Sequence, residues 1–281
     1  MQQLNDLIQP LLDLCFDAGA IVCDYYRSPQ EAKLESKSDQ SPLTLADTAS
    51  HACLVAGLET LTPGYPVLSE ESSPEALAGR RGWNPFWLVD PLDGTKEFLA
   101  ETGEFTINIA LIKDHQPALG IVYVPLKQQA CIGIPSESAF LYSYSKESSW
   151  TRQALPLKSS RERGQLRVLA SRRHNNDRLR WCLDWLTQRR GKIQRIDAGS
   201  ALKFCQLACG EGDLYPRFSP SCEWDTAAGQ AVLEAAGGAV WGMDGKAPRY
   251  NLSDSLFSPH FYAVADPSDP LWQQLLAETP R

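Results

Sequence analysis

Apolar or small residues recur every three or four positions near the start of the chain, at Leu4, Leu7, Ile8, Leu11, Leu12, Cys15 and Gly19. That spacing lays one stripe along one face of a helix and predicts a first helix over 4–26, followed by a polar stretch at 33–41. Thr44-Leu45-Ala46-Asp47 has the form of a capping box. It predicts a second helix from Thr44 to Leu61, ended by Thr62-Pro63-Gly64. The period then shortens. A short strand at 66–68 runs into Ser69-Glu70-Glu71, Phe86-Trp87-Leu88-Val89 reads as a buried strand, and 106–112 alternates strictly, as a half-buried strand does. Runs at 121–124, 131–134 and 140–144 have short connections, which predicts an antiparallel sheet.

Between residues 145 and 163 the composition turns polar and charged, marking a boundary. Beyond it strands and helices alternate: strand 166–170, helix 177–188, strand 193–196, helix 201–209, strand 213–218, helix 225–236 and strands 239–241 and 261–265. The expected organisation is therefore an N-terminal α+β part, 1–155, and a C-terminal α/β part, 156–281.

Net charge is −7 with 27 basic and 34 acidic residues, which argues against a non-specific nucleic-acid binder. No run of 18 apolar residues is present, so no transmembrane segment is expected. The first 16 residues carry no Lys or Arg and include Asp6 and Asp13, unlike a secretory signal. The eight cysteines show no CxxC pair and read as core thiols of a protein in a reducing cytoplasm. No pattern specifies an oligomeric state.

The chemistry concentrates where the buried strand ends, at Asp90-Pro91-Leu92-Asp93-Gly94-Thr95. Two carboxylates three apart on one turn repel unless cations join them, and hard oxygen ligands suit magnesium. The Gly-Thr pair opens a helix whose backbone N–H groups suit phosphate. Trp224-Asp225-Thr226-Ala227-Ala228-Gly229 offers another carboxylate at a helix start. Taken alone, Asp225 is an ordinary N-cap, Asp47 a capping-box residue, and Glu70 and Glu71 solvated residues beyond a strand. No GxxxxGK[ST] loop exists. The two residues between Asp90 and Asp93 depart from the Asp-x-Asp turn of haloacid-dehalogenase phosphatases. None of the four histidines sits in a nucleophile–base context.

Together, Ser69-Glu70-Glu71, Asp90 to Thr95 and Trp224 to Gly229 resemble, in order and spacing, the inositol monophosphatase superfamily. Lys96-Glu97-Phe98, the segments 39–47 and 103–112, Ser200 to Cys205 and Leu214 to Phe218 are similar to its bacterial 3'(2'),5'-bisphosphate nucleotidase branch. The resemblance leaves out 146–164 and the tail beyond Pro267. It implies the layered αβαβα sandwich of the inositol monophosphatase and fructose-1,6-bisphosphatase type, and lithium-sensitive, magnesium-dependent hydrolysis of 3'-phosphoadenosine 5'-phosphate, with its sulfated parent as a further substrate, in sulfur assimilation. Two Mg2+ ions, with room for a third, are implied on Glu70, Asp90, Asp93, Asp225 and the Leu92 carbonyl, Asp90 bridging. Thr95, with Glu70 and Asp47 behind it, is the implied water-activating group in a direct attack without a phosphoenzyme, and Asp225 faces the leaving group. Gly94 and Thr95 would bind the reacting phosphate.

Lys203 and Arg217 would bind the remote phosphate, with Lys96 as a nearer cation; the plain alternative for both is a solvated side chain. Asp39 is implied near a further metal or water, and Arg172, Arg173 and His174 at the cleft edge. Loose association with the inner face of the cytoplasmic membrane is a further implication, although no basic amphipathic helix supplies it. Two rivals remain open at this point: the same chemistry on inositol monophosphate or a sugar phosphate, and a silent nucleotide sensor.

Overall fold

Three layers of helix alternate with two β-sheets in the computed structural model, which describes residues 4–28, 34–36, 42–147, 149–156, 165–172 and 175–280. The outer layer pairs α1 (Ile8–Arg27) with α2 (Leu45–Leu61); the strands β1 (Leu34–Ser36) and β2 (Pro42–Thr44) form an antiparallel pair between them in sequence. The first sheet runs β3 (Val67–Ser69), β4 (Phe86–Asp93), β5 (Thr106–Lys113), β6 (Gln116–Val124), β7 (Gln129–Ile134), β8 (Ser138–Ser145) and β9 (Ser149–Ala154) in sequence order, with the short helix α3 (Thr95–Leu99) after β4. Only β3 and β4 pair in parallel; the later neighbours are antiparallel.

The second sheet contains β10 (Leu166–Ala170), β11 (Ile193–Asp197), β12 (Leu214–Arg217), β13 (Ala239–Gly242) and β14 (Phe261–Val264), in the order β11-β10-β12-β14-β13. Its helices are α4 (Asp177–Arg190), α5 (Leu202–Ala208), α6 (Glu223–Ala235) and α7 (Leu271–Glu278). α5 and α6 fill the space between the sheets, where Phe204, Leu207, Ala228 and Val232 pack with Leu88 and Val122 on one side and Leu169 and Phe261 on the other. α4 and α7 cover the far face through Trp185, Leu186, Trp272 and Leu275. The αβαβα sandwich implied by the sequence is the observed fold.

Glycine allows the central layer to seat closely. A Cβ at Gly120 would lie 2.4 Å from the Ala228 carbonyl oxygen, and one at Gly133 2.5 Å from the Val232 Cα. Side chains at those strand positions would push α6, which carries Asp225, off the sheet.

Several details differ from the sequence expectations. β5 is buried on both faces rather than one: Ile107, Ile109 and Leu111 face α1 and α2, while Ala110 and Ile112 face the central layer. Thr106 and Asn108, alternating with Ile107 and Ile109, give the strand the look of one wet face. The polar boundary segment contains an edge strand, β9, five of whose six residues are exposed. The unassigned tail beyond Pro267 forms α7. Helix α6 starts at Glu223, with Cys222 as its N-cap, so Asp225 is at the third helical position and is not the cap.

Candidate active site

β4 does not end at Val89. It continues to Asp93 with a bulge, pairing Asp90 with Asn108 and then Asp93 with Thr106, three residues against two. Residues three apart on a regular strand point to opposite faces; one extra residue brings both to the same side. Pro91, which cannot donate to a ladder, sits in the irregularity. Gly94 then takes φ +93°, a conformation that turns the chain into α3 without a side-chain penalty.

The second half supplies the third carboxylate. Ligand oxygens of Asp90, Asp93 and Asp225 lie within 4.8 Å of one another. Glu70, one residue past β3, falls outside that set, yet its charge contributes to raising the pKa of both Asp90 and Asp225. Each acid of the trio accepts a backbone N–H, and Asp93 accepts from side chains as well. Asp93 Oδ2 accepts from Ser200 Oγ (2.8 Å), the Ala201 N–H (2.5 Å) and Asn108 Nδ2 (3.2 Å). Asp225 Oδ2 accepts the Cys222 N–H at 2.9 Å, and Asp90 Oδ1 the Leu92 N–H at 3.0 Å.

Helix α2 braces the other side. Asp47, 1 % exposed, accepts from the Thr44 N–H and Oγ1 at 2.8 and 2.6 Å through Oδ2, which is the capping box read in the sequence. Its other oxygen, Oδ1, accepts from Thr95 Oγ1 at 3.4 Å. The Thr95 hydroxyl lies 3.4 Å from the Leu92 carbonyl as well. One turn further along, Ser50 Oγ donates to the Pro91 carbonyl (2.8 Å) and His51 Nδ1 meets Ser69 Oγ (2.8 Å). Thus one helix face holds the bulge, the residue before Glu70 and the threonine.

Burial and mutual repulsion dominate the electrostatics. Desolvation first, then the charges of Glu70, Asp93 and Asp225, push the Asp90 carboxyl well above the usual range. Desolvation followed by Asp93 and Glu70 raises Asp225 to about 7. Such a cluster holds its full negative charge only when positive charge joins it.

Next to the acids a cleft of about 120 Å³ is lined by Asp93, Gly94, Lys96, Lys203, Arg217 and Asp225 among others. Lys203 is neither solvated nor free: it is 1 % exposed, and its Nζ donates to the carbonyls of Ser200 (2.6 Å) and Ala198 (3.1 Å) beside the Tyr215 ring. Burial, then the Arg217 charge, lowers its pKa to about 8. Lys203 therefore fastens the loop whose Ser200 and Ala201 hold Asp93. Arg217 donates to the carbonyls of Ser219 (3.2 Å) and Pro220 (2.9 Å).

Arg172 pairs with Glu104 through two bonds, at 2.9 and 3.0 Å, and Glu104 also accepts the Gly199 N–H at 2.9 Å. Asp39, Arg173 and His174 lie outside the described residues. The sequence pattern did not single out Ser50, His51, Thr106, Asn108 or Glu104. The available signal was register, since Thr106 and Asn108 are two apart on the strand opposite the two aspartates. All eight cysteines are free thiols, six of them buried.

Fold and site together define a layered αβαβα protein in which a strand of the first sheet and a helix of the central layer bring three carboxylates together. The chain belongs to the inositol monophosphatase family, whose sequence model matches residues 3–279. Over 255 residues it is 40% identical to the 3'(2'),5'-bisphosphate nucleotidase CysQ of Salmonella typhimurium, covering 91% of this chain and 98% of that protein. The crystal structure of CysQ from Bacteroides thetaiotaomicron superposes with a TM-score of 0.81 at 36% identity, over 94% of this chain and 98% of that one. An IMPase of Thermotoga maritima, 18% identical, shares the fold with a TM-score of 0.75 over 98% of both chains.

Proposed function

We propose that this chain is a magnesium-dependent 3'(2'),5'-bisphosphate nucleotidase that hydrolyses 3'-phosphoadenosine 5'-phosphate to AMP and phosphate, with the sulfated parent nucleotide as a second substrate in sulfur assimilation. The observation that carries this reading is the crowded trio Asp90, Asp93 and Asp225 beside a cleft that also contains Lys203 and Arg217. The donor set fits hard divalent ions: all oxygen, crowded, and driven toward protonation when no cation is bound. Asp90, Asp93, Asp225, Glu70 and the Leu92 carbonyl would hold two Mg2+, four carboxylates matching their charge. Magnesium bound there supplies a lowered pKa for the attacking water and charge neutralisation for the phosphoryl group.

The protein's own residues do the rest. Backbone N–H groups of Gly94 and Thr95 hold phosphoryl oxygens at the start of α3. Thr95 Oγ1 takes the water proton as its own passes to Asp47 Oδ1, with Glu70 behind the pair. Asp225 faces the leaving oxygen. Lys203 and Arg217 sit on the cleft wall suited to the phosphate that is not cleaved. Inositol monophosphate has a single phosphate and makes no use of that wall. A silent sensor has no use for Thr95 and Asp47 in hydrogen-bond contact. The test is phosphate release with magnesium from 3'-phosphoadenosine 5'-phosphate, AMP and inositol 1-phosphate, with and without lithium. Lithium-sensitive release from the bisphosphate alone is expected; preference for the inositol ester would overturn the substrate, and release from none the activity.

A pH signature follows from the raised carboxyls. Asp225, at about 7 when folded against an ordinary value of 3.8, binds a proton in the folded state that the unfolded chain has lost across that window. Asp90 shifts in the same direction. Each therefore subtracts stability as pH rises through the window. Cations at the trio remove that loss. Saturating magnesium should raise Tm by roughly 5 °C or more at pH 7.5 and much less at pH 5.5. Scanning calorimetry with chelator and with magnesium checks this; an equal rise at both pH values would count against a charge-crowded metal site.

A further inference from the structure

Among the described residues only two buried side-chain polar atoms have no hydrogen-bond partner, and one of them, Ser221 Oγ, belongs to a residue that lines the cleft. Ser221 is 6 % exposed, so its hydroxyl cannot simply turn to bulk water. An unpaired buried hydroxyl costs about 1–3 kcal/mol, and such an atom calls for an explanation.

Its setting is rigid. The Ser221 carbonyl accepts the Ser258 N–H at 2.8 Å. The two preceding carbonyls, of Ser219 and Pro220, are held by the Arg217 guanidinium. Cys222, which follows, caps α6 and is tied to Asp225. The Ser221 carbonyl is thus engaged and its neighbours on both sides are held, while its hydroxyl has no partner. The same cleft wall carries Arg217 and Lys203, the latter with two of its three N–H groups already given to carbonyls. A hydroxyl donor in a cleft that two cations also line suits an acceptor that is anionic.

We propose that Ser221 is a specificity-determining residue whose Oγ–H donates to the phosphate of the substrate that is not hydrolysed. The inference rests on the bisphosphate nucleotidase reading and adds a residue to it. Arg217 then has two tasks: it attracts the remote phosphate, and by gripping the carbonyls before Ser221 it points the hydroxyl at that phosphate. Removing the oxygen takes away one donor from a bound dianion and leaves the metal ligands, Thr95 and Asp47 in place.

The test compares wild type, Ser221→Ala and Ser221→Thr on two substrates, 3'-phosphoadenosine 5'-phosphate and 3'-AMP, the second lacking the 5'-phosphate. With the bisphosphate, Ser221→Ala should raise KM about tenfold at unchanged kcat, the size of one lost hydrogen bond to a charged group. With 3'-AMP it should match wild type, and Ser221→Thr should recover most of the bisphosphate KM. Equal losses on both substrates would overturn the proposal, since the hydroxyl would then serve the ribose or the fold. No loss on either would overturn it as well. Should wild type release no phosphate from the bisphosphate, the activity itself fails, and that result is separate from any effect of Ser221.

Discussion

Asp90→Asn should abolish turnover and yet make the metal-free protein more stable. We expect kcat to fall by roughly a thousandfold or more, because the substitution removes a negative charge from the centre of the site, where transition-state electrostatics are largest. Thermal unfolding in chelator at pH 7.5 should move the other way, upward by a few °C. Asp90 is 1 % exposed, and its pKa is raised first by burial and then by Glu70, Asp93 and Asp225. An amide there ends that repulsion, and its oxygen can still accept the Leu92 N–H. Asp93→Asn should behave differently. Its Oδ2 holds Ser200 and Ala201, so loss of the carboxylate loosens the 198–201 loop and gives no comparable gain in stability. Steady-state rates and calorimetry on the two variants decide this; a chelated Asp90→Asn protein that melts below wild type would contradict the account.

The second large effect is expected at Thr95. Thr95→Ala should lower kcat about a hundredfold to a thousandfold, the range for a lost proton acceptor, with the magnesium dependence unchanged. Its hydroxyl is within reach of Asp47 Oδ1 and the Leu92 carbonyl, and it is the hydroxyl that matters, so Thr95→Ser should restore most of the rate. Magnesium titrations of initial rate separate the two possibilities: an altered half-saturation for magnesium with kcat intact would make Thr95 a metal-positioning residue. Asp47→Asn is a poorer probe, because Asp47 also caps α2 through the Thr44 N–H and Oγ1.

How much of this was legible in the chain depends on range. The capping box at Thr44 and Asp47 is a local device, and its pattern could be read directly. Asp90 and Asp93 stood out because two acids beside a buried strand have few structural uses. Their side-by-side orientation was not legible, since the bulge that creates it depends on pairing with β5. Lys203 shows the same limit. The sequence offers it as a ligand of the remote phosphate or as a solvated helix residue, and only the fold shows it buried and gripping the carbonyls of Ala198 and Ser200. The double burial of β5 requires knowing that α6, more than 100 residues later, returns to cover the sheet. Ser221 carries no motif, and its unpaired hydroxyl exists only in three dimensions.

The central claim is that three carboxylates, two from β4 and one from α6, form one divalent-cation site. Crystals soaked in manganese, a magnesium surrogate with an anomalous signal, test it most directly. The account predicts anomalous peaks bounded by Asp90, Asp93 and Asp225, one of them also reached by Glu70, and their disappearance in Asp90→Asn. Manganese bound elsewhere, or peaks that persist at full height in that variant, would contradict it.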